Sequence, residues 1–183
     1  MKSRFYPWLL IVGGSLGLLA SYVIMVDKLK LLENPKFVPS CSINPVLSCG
    51  TVMQSAQAHA FGFPNPFLGL AGYAAVVTIG VAILAGAKFK SWFWKGFNLG
   101  TLGGVAFIQW LIFETTFRIQ AICLWCVLAW IVTIPIFVFT TAWTFGDRFP
   151  WLKRYGLVIV LIWYLLIASL VLGHFWYYFK TVI

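Results

Sequence analysis

Between Arg4 and Asp27, and again from Tyr155 to Phe179, the chain carries no charged side chain. A helix needs about 20 apolar residues to cross the hydrocarbon core of a bilayer, and each block is long enough. Composition agrees. Hydrophobic residues make up 62% of the 183 and charged residues only 9%, whereas a globular sequence is about a quarter charged. The expected fold class is therefore all-α: a polytopic membrane protein built as a single integral membrane domain over residues 1–183. Five spans are read, at Trp8–Val26, Pro66–Ala87, Gly96–Phe113, Cys123–Phe145 and Tyr155–Phe179. The later connections are short, so neighbouring helices run antiparallel and pack as one bundle. The exception is the long first connection, from Asp27 to Asn65.

Two alternative readings of these features fail on the residues. A cleaved signal peptide would use Lys2 and Arg4 as its charged region, but the apolar stretch is too long and no small-x-small site precedes Asp27. An uncleaved first span is expected. The net charge of +9 could suggest nucleic acid, yet the cations form short clusters between apolar blocks. A phosphate-binding surface needs a contiguous basic face in water.

Those clusters set the expected orientation. A cytoplasmic N-terminus places eight cations inside, namely Lys2, Arg4, Lys88, Lys90, Lys95, Arg148, Lys153 and Arg154. It leaves five outside: Lys28, Lys30, Lys36, Arg118 and Lys180. The excess of Lys and Arg marks the cytoplasmic side of the membrane. Trp92, Trp94 and Trp151 lie beside the basic loops, where interfacial anchors belong.

The four cysteines then fall on one face. Cys41 and Cys49 lie in the long outer loop, and Cys123 and Cys126 open the fourth span where it leaves the same side. An oxidising compartment permits disulfides there. In Cys123-Leu-Trp-Cys126, residues three apart share a helix face, so the sulfurs can meet. The positive end of the helix favours a thiolate. Cys126 sits about 4.5 Å deeper than Cys123 at 1.5 Å rise per residue. Cys123 is thus open to the loop, and Cys126 faces whatever lies between the helices. Two static disulfides would give a CxxC ring too small to constrain the unfolded chain much. Zinc would suit four thiolates, but the spacing of the first pair is not a zinc-knuckle spacing. Val127 follows the CxxC in place of a histidine, which argues against haem attachment.

This arrangement, a loop pair followed much later by CxxC at the head of a membrane helix, resembles the vitamin K epoxide reductase family, its bacterial members most of all. The likeness covers roughly residues 8–145 and extends to the stretch Phe63-Pro64-Asn65-Pro66-Phe67-Leu68-Gly69. It implies a four-helix bundle around a quinone (ubiquinone, menaquinone or vitamin K), with Asn65, Phe67, Cys126 and Trp130 as quinone-contact candidates. It also implies a route. Thiols of a partner reduce a Cys41–Cys49 disulfide, Cys49 attacks Cys123, and released Cys126 delivers electrons to the quinone. Such steps need only that each thiolate reach the next sulfur. Many bacterial members continue into a thioredoxin-like domain; here the expected partner is a separate thioredoxin-like or DsbA-like protein. Vertebrate members have a tyrosine where this chain has Trp130, whose indole N–H can still donate.

Other residues have plainer readings. Asn65 before Pro66 is a standard helix start, with the cap using the amide oxygen and leaving the N–H groups for a quinone oxygen. The segment Gly50–Ala60 reads as a short helix over the bundle mouth, with Val52, Met53, Ala56 and Ala60 on one face. His59 and His174 read as interfacial polar residues, and Glu114 and Arg118 as a solvated pair. Gly13–Gly17 and Gly100–Gly104 read as packing glycines, and Pro135 as a kink. Two rival functions remain: a DsbB-type thiol oxidase, which has its CxxC in the first outer loop, and a non-catalytic subunit stabilised by disulfides.

Overall fold

A computed structural model describes residues 5–176 and residue 180. Its α-helices are α1 (Phe5–Glu33), α2 (Cys49–Gln54), α3 (Pro66–Leu84), α4 (Ser91–Glu114), α5 (Leu124–Phe145) and α6 (Pro150–His174). A 3-10 turn covers Ala56–His59, and a π-helical turn at Thr115–Ile119 extends α4. Five helices are long and apolar enough to cross a membrane, and no sheet forms among the described residues. The expected end of the fifth span at Phe179 lies outside the described residues, as do Lys2 and Arg4.

The helix ends differ from the sequence reading where polar groups find partners. α1 runs past Val26 to Glu33, 29 residues in all. At about 43 Å it exceeds a hydrocarbon core of about 30 Å, so one end of it stands outside that core. Asp27 and Lys28 do not end it, because both are buried against the loop. Cys123, expected inside the fourth span, is the extended N-cap residue, and α5 begins at Leu124. The turn after α4 is a π-helical turn closed by Gln120 in the left-handed region (φ 56°). That conformation costs a non-glycine residue about 1–2 kcal/mol, and it turns the chain back towards the cysteine loop.

Small residues let α1 and α3 approach closely. Gly14 abuts Val76 and Val77, and a Cβ at Gly17 would collide with the Tyr73 ring. Gly13 packs against Ile136 of α5. The expected packing role of Gly13 and Gly17 matches this contact. α5 lies at the centre: Ile134 and Val138 join Val105, Ile108 and Ile112 of α4 and Val160 of α6 in one core cluster. α1 packs on α3 and α5, and α5 packs on α4 and α6, but α3 and α4 are not packed along each other. The space between them is a cavity. Gly100 and Gly104 face it: both line the cavity, and a Cβ at Gly100 would meet nothing within 4 Å. Their expected role as packing glycines is therefore corrected; here small side chains leave room.

Candidate functional site: a sulfur cluster against an apolar cavity

The loop after α1 is folded by its own polar side chains. The Asn44 side-chain oxygen accepts from the backbone N–H of Val46 (3.0 Å) and Leu47 (2.7 Å), an Asx turn that reverses the chain. Leu47 then pairs with Ile122 in an isolated parallel bridge. Ile122 N donates to Val46 O, and Ser48 N donates to Ile122 O at 3.0 Å. Ser48 caps α2, its hydroxyl accepting from Thr51 N, and Cys49 is the first residue of that helix. Gly50 N donates to the Ser42 hydroxyl at 3.1 Å, tying the start of α2 to the Cys41 end of the loop.

The result brings three sulfurs together. Cys41 and Cys49 are disulfide-bonded, and Cys123 and Cys126 are free thiols. The sulfurs of Cys41, Cys49 and Cys123 all lie within 4.8 Å of one another. Cys49 and Cys123 are 0% exposed and Cys41 6%, packed under Leu31 and Met53. Three such sulfurs could also suggest a thiophilic metal, but a disulfide offers no thiolates to one. Proximity of a disulfide to a thiol is the geometry of sulfur exchange.

Cys123 precedes α5 and has the character of an attacking thiol. Its thiol is held below its ordinary pKa, chiefly by the hydrogen bond that the Cys126 thiol donates to it. The backbone N–H groups of Cys126 and Trp125 add to the lowering, while burial and the Asp27 carboxylate oppose it. A helix N-terminus lowers thiol pKa values in this way.

Cys126 opens onto the other compartment. It lines a cavity of about 370 Å³ walled by α1, α3, α4 and α5, within the range of small-molecule sites. The walls are mostly apolar, with Asn65, Gln57, Tyr73, Thr133 and Lys28 among the polar exceptions. The CxxC therefore straddles a partition, Cys123 beside the disulfide and Cys126 beside the cavity. An apolar slot with a few convergent polar groups is the usual form of a small-molecule site.

The sequence candidates fall into place unevenly. Asn65 lines the cavity but does not cap α3. Its backbone is already helical, and its amide is spent on the preceding loop: the oxygen accepts from Ala60 N at 3.1 Å and the nitrogen donates to Gln57 O at 2.8 Å. The expected cap, with both N–H groups free, is thus corrected to a loop clamp with one N–H remaining. Trp130 lines the cavity, and its indole N–H has no hydrogen-bond partner among the described residues. Phe67 does not line the cavity. It is 48% exposed and sits edge-on to Phe63, because residues two apart on a helix face different ways.

Further corrections concern the mouth. Val52 and Met53 face the cavity as expected, but Ala56 and Ala60 are exposed, because the helix breaks at Ser55 into the 3-10 turn. His59 is half-buried and outside the cavity wall. Glu114 and Arg118 are not a solvated pair: Glu114 is 3% exposed, ion-paired to Arg118 and hydrogen-bonded by Gln57 Nε2 at 3.1 Å. Sequence reading missed Lys28, Gln57, Tyr73 and Thr133. Tyr73 and Thr133 share a hydrogen bond of 2.6 Å across α3 and α5. No local pattern marks such residues.

Five apolar helices carrying a disulfide packed against a reduced CxxC define a membrane thiol oxidoreductase. The model of the vitamin K epoxide reductase family matches residues 8–141, and the chain belongs to that family. It is a membrane thiol:quinone oxidoreductase, using a quinone as the electron acceptor of its cysteine pairs. A comparison with curated proteins gave no match.

Proposed function

We propose that the chain regenerates disulfides outside the cytoplasmic membrane, taking electrons from a thioredoxin-like or DsbA-like thiol partner through Cys41 and Cys49. The electrons pass to Cys123 and Cys126 and reach a quinone held in the cavity. The observation that carries this reading is the position of the CxxC, with one sulfur against the loop disulfide and the other in the cavity wall. Each residue has a defined part. Cys41 meets the partner and resolves Cys49; Cys49 exchanges with Cys123; Cys126 faces the quinone. The remaining Asn65 N–H and the Trp130 indole N–H are donors for ring oxygens, where preorganised donors stabilise developing charge. Phe67 has no place in this set.

The proposed membrane arrangement has the N-terminus in the cytoplasm and the four cysteines outside, on the Lys and Arg distribution. The whole chain then acts as one integral membrane domain, with α6 outside the cavity wall and packed on α5. The order of the cysteines argues against the DsbB type, since here the CxxC comes last. The test is anaerobic: purified protein, a reduced thioredoxin-like partner and menadione are mixed, and quinone reduction is followed by absorbance. Stoichiometric hydroquinone is the expected result. A chain whose cysteines keep their redox state on adding quinone would leave the disulfides a structural role only.

A further inference from the structure

Lys28 is the one charged side chain among the residues lining the cavity. It lies near the outer end of α1 and is 6% exposed. Its ammonium donates to the Met53 carbonyl at 2.7 Å, and an ammonium has three N–H donors. No carboxylate pairs with it among the described residues, where the ion pairs are Arg118–Glu114 and Lys153–Asp147. Asp27, next to it in the chain, acts on Cys123. Burying an ammonium without an anion is costly. The missing anion is supplied if negative charge appears in the cavity during turnover.

We propose that Lys28 is the cation that stabilises negative charge growing on a quinone oxygen, and that it passes a proton to that oxygen. This rests on the cavity being the quinone site. In the step, the Cys123–Cys126 S–S bond forms and both S–H bonds break. Two electrons pass to the quinone, and two protons end on its two oxygens. Lys28 gives up one proton to an oxygen and regains one from a thiol, so the protein gains no net charge. The other polar side chains on the wall, among them Asn65, Gln57, Tyr73, Thr133, Ser55, Thr101 and Thr115, carry no charge. A charged donor makes roughly twice as strong a hydrogen bond as a neutral one.

The alternative is that Lys28 only ties α1 to α2 through Met53. Lys28→Gln separates the two, since its amide keeps an N–H for the Met53 carbonyl but removes the charge. Three variants, Lys28→Gln, Lys28→Met and Lys28→Arg, are compared in single-turnover oxidation of the reduced CxxC by menadione. Gln and Met should slow it about 10²-fold, with Arg within a few-fold of the parent. Reduction of the CxxC by the thiol partner should be unchanged in all three. A second readout is binding. The anionic 2-hydroxy-1,4-naphthoquinone should bind Lys28→Gln at least about tenfold more weakly, a loss of about 1.4 kcal/mol, while neutral menadione changes little. Lys28→Gln with parental rate and parental binding of the anion overturns the proposal. An azidoquinone photolabel on the parent protein tests the premise separately. Label on α3 and α5 peptides supports the cavity as the site, and label elsewhere removes that reading and Lys28's role with it.

Discussion

Leu47 and Ile122 pair in a parallel bridge, and each is followed within two residues by a cysteine, Cys49 and Cys123. One backbone pairing therefore fixes the register between a long loop and the head of a membrane helix. Its consequence is a sulfur cluster held by the backbone itself. Removing the Ile122 N–H that Val46 accepts, by Ile122→Pro, should slow electron transfer from the loop pair to the CxxC. It should leave oxidation of a chemically reduced CxxC by quinone near the parental rate. Stopped-flow measurement of the two half-reactions separates these, and equal slowing of both would detach the bridge from the exchange step.

Cys126→Ser should abolish quinone reduction and accumulate a Cys49–Cys123 disulfide. Without the second CxxC thiol no CxxC disulfide can form, so only Cys41 can release the pair, and adding Cys41→Ser should trap it fully. Peptide mapping of the non-reduced protein checks this. Turnover with Cys41–Cys49 as the sole disulfide would contradict the route.

The pH dependence of Cys123 follows from its main partner. Cys126→Ala removes the donor that most lowers the Cys123 thiol, so its thiolate should appear at higher pH than in the parent. Since the thiolate is the reactive form, the iodoacetamide rate profile of the reduced protein should move to higher pH. A profile that stays or moves down would show that the helix N-terminus alone sets this thiol.

Asn65 clamps the 3-10 turn through both ends of its amide. Asn65→Asp keeps an acceptor for Ala60 N but loses the donor to Gln57 O and sets a negative charge beside that carbonyl. Leaving Gln57 O unpaired costs about 1–3 kcal/mol if water cannot reach it. Asp should thus lower both thermal stability and quinone reduction, and should be no better than Ala. Full activity in Asp would remove Asn65 from the quinone step.

Gly100 offers a way to fill the cavity without strain, since a side chain there meets open space. Gly100→Leu should raise the KM for quinone several-fold while leaving thermal stability and thiol exchange near parental values. An unchanged KM would place the quinone elsewhere.

How much of this was legible in the sequence depends on the range of the interaction. Charge-free blocks and their flanking cations act locally, through transfer of side chains into lipid, and these gave five helices. The spacing of Cys123 and Cys126 is likewise local, one turn of helix, and with the loop pair it identified the redox chemistry. Burial of Asp27 and Lys28, the clamp made by Asn65 and the pairing of Leu47 with Ile122 depend on partners distant along the chain. Asn65 looked like a cap because Pro66 follows it, yet Gln57 and Ala60 had the better claim on its amide. The resemblance points to Phe67 beside Asn65, yet helical geometry turns it outward. Tertiary structure alone decided that α3 and α4 stand apart. Gly100 and Gly104 have no side chain to close that gap, whereas Gly13 and Gly17, at the same spacing in α1, press against α5 and α3.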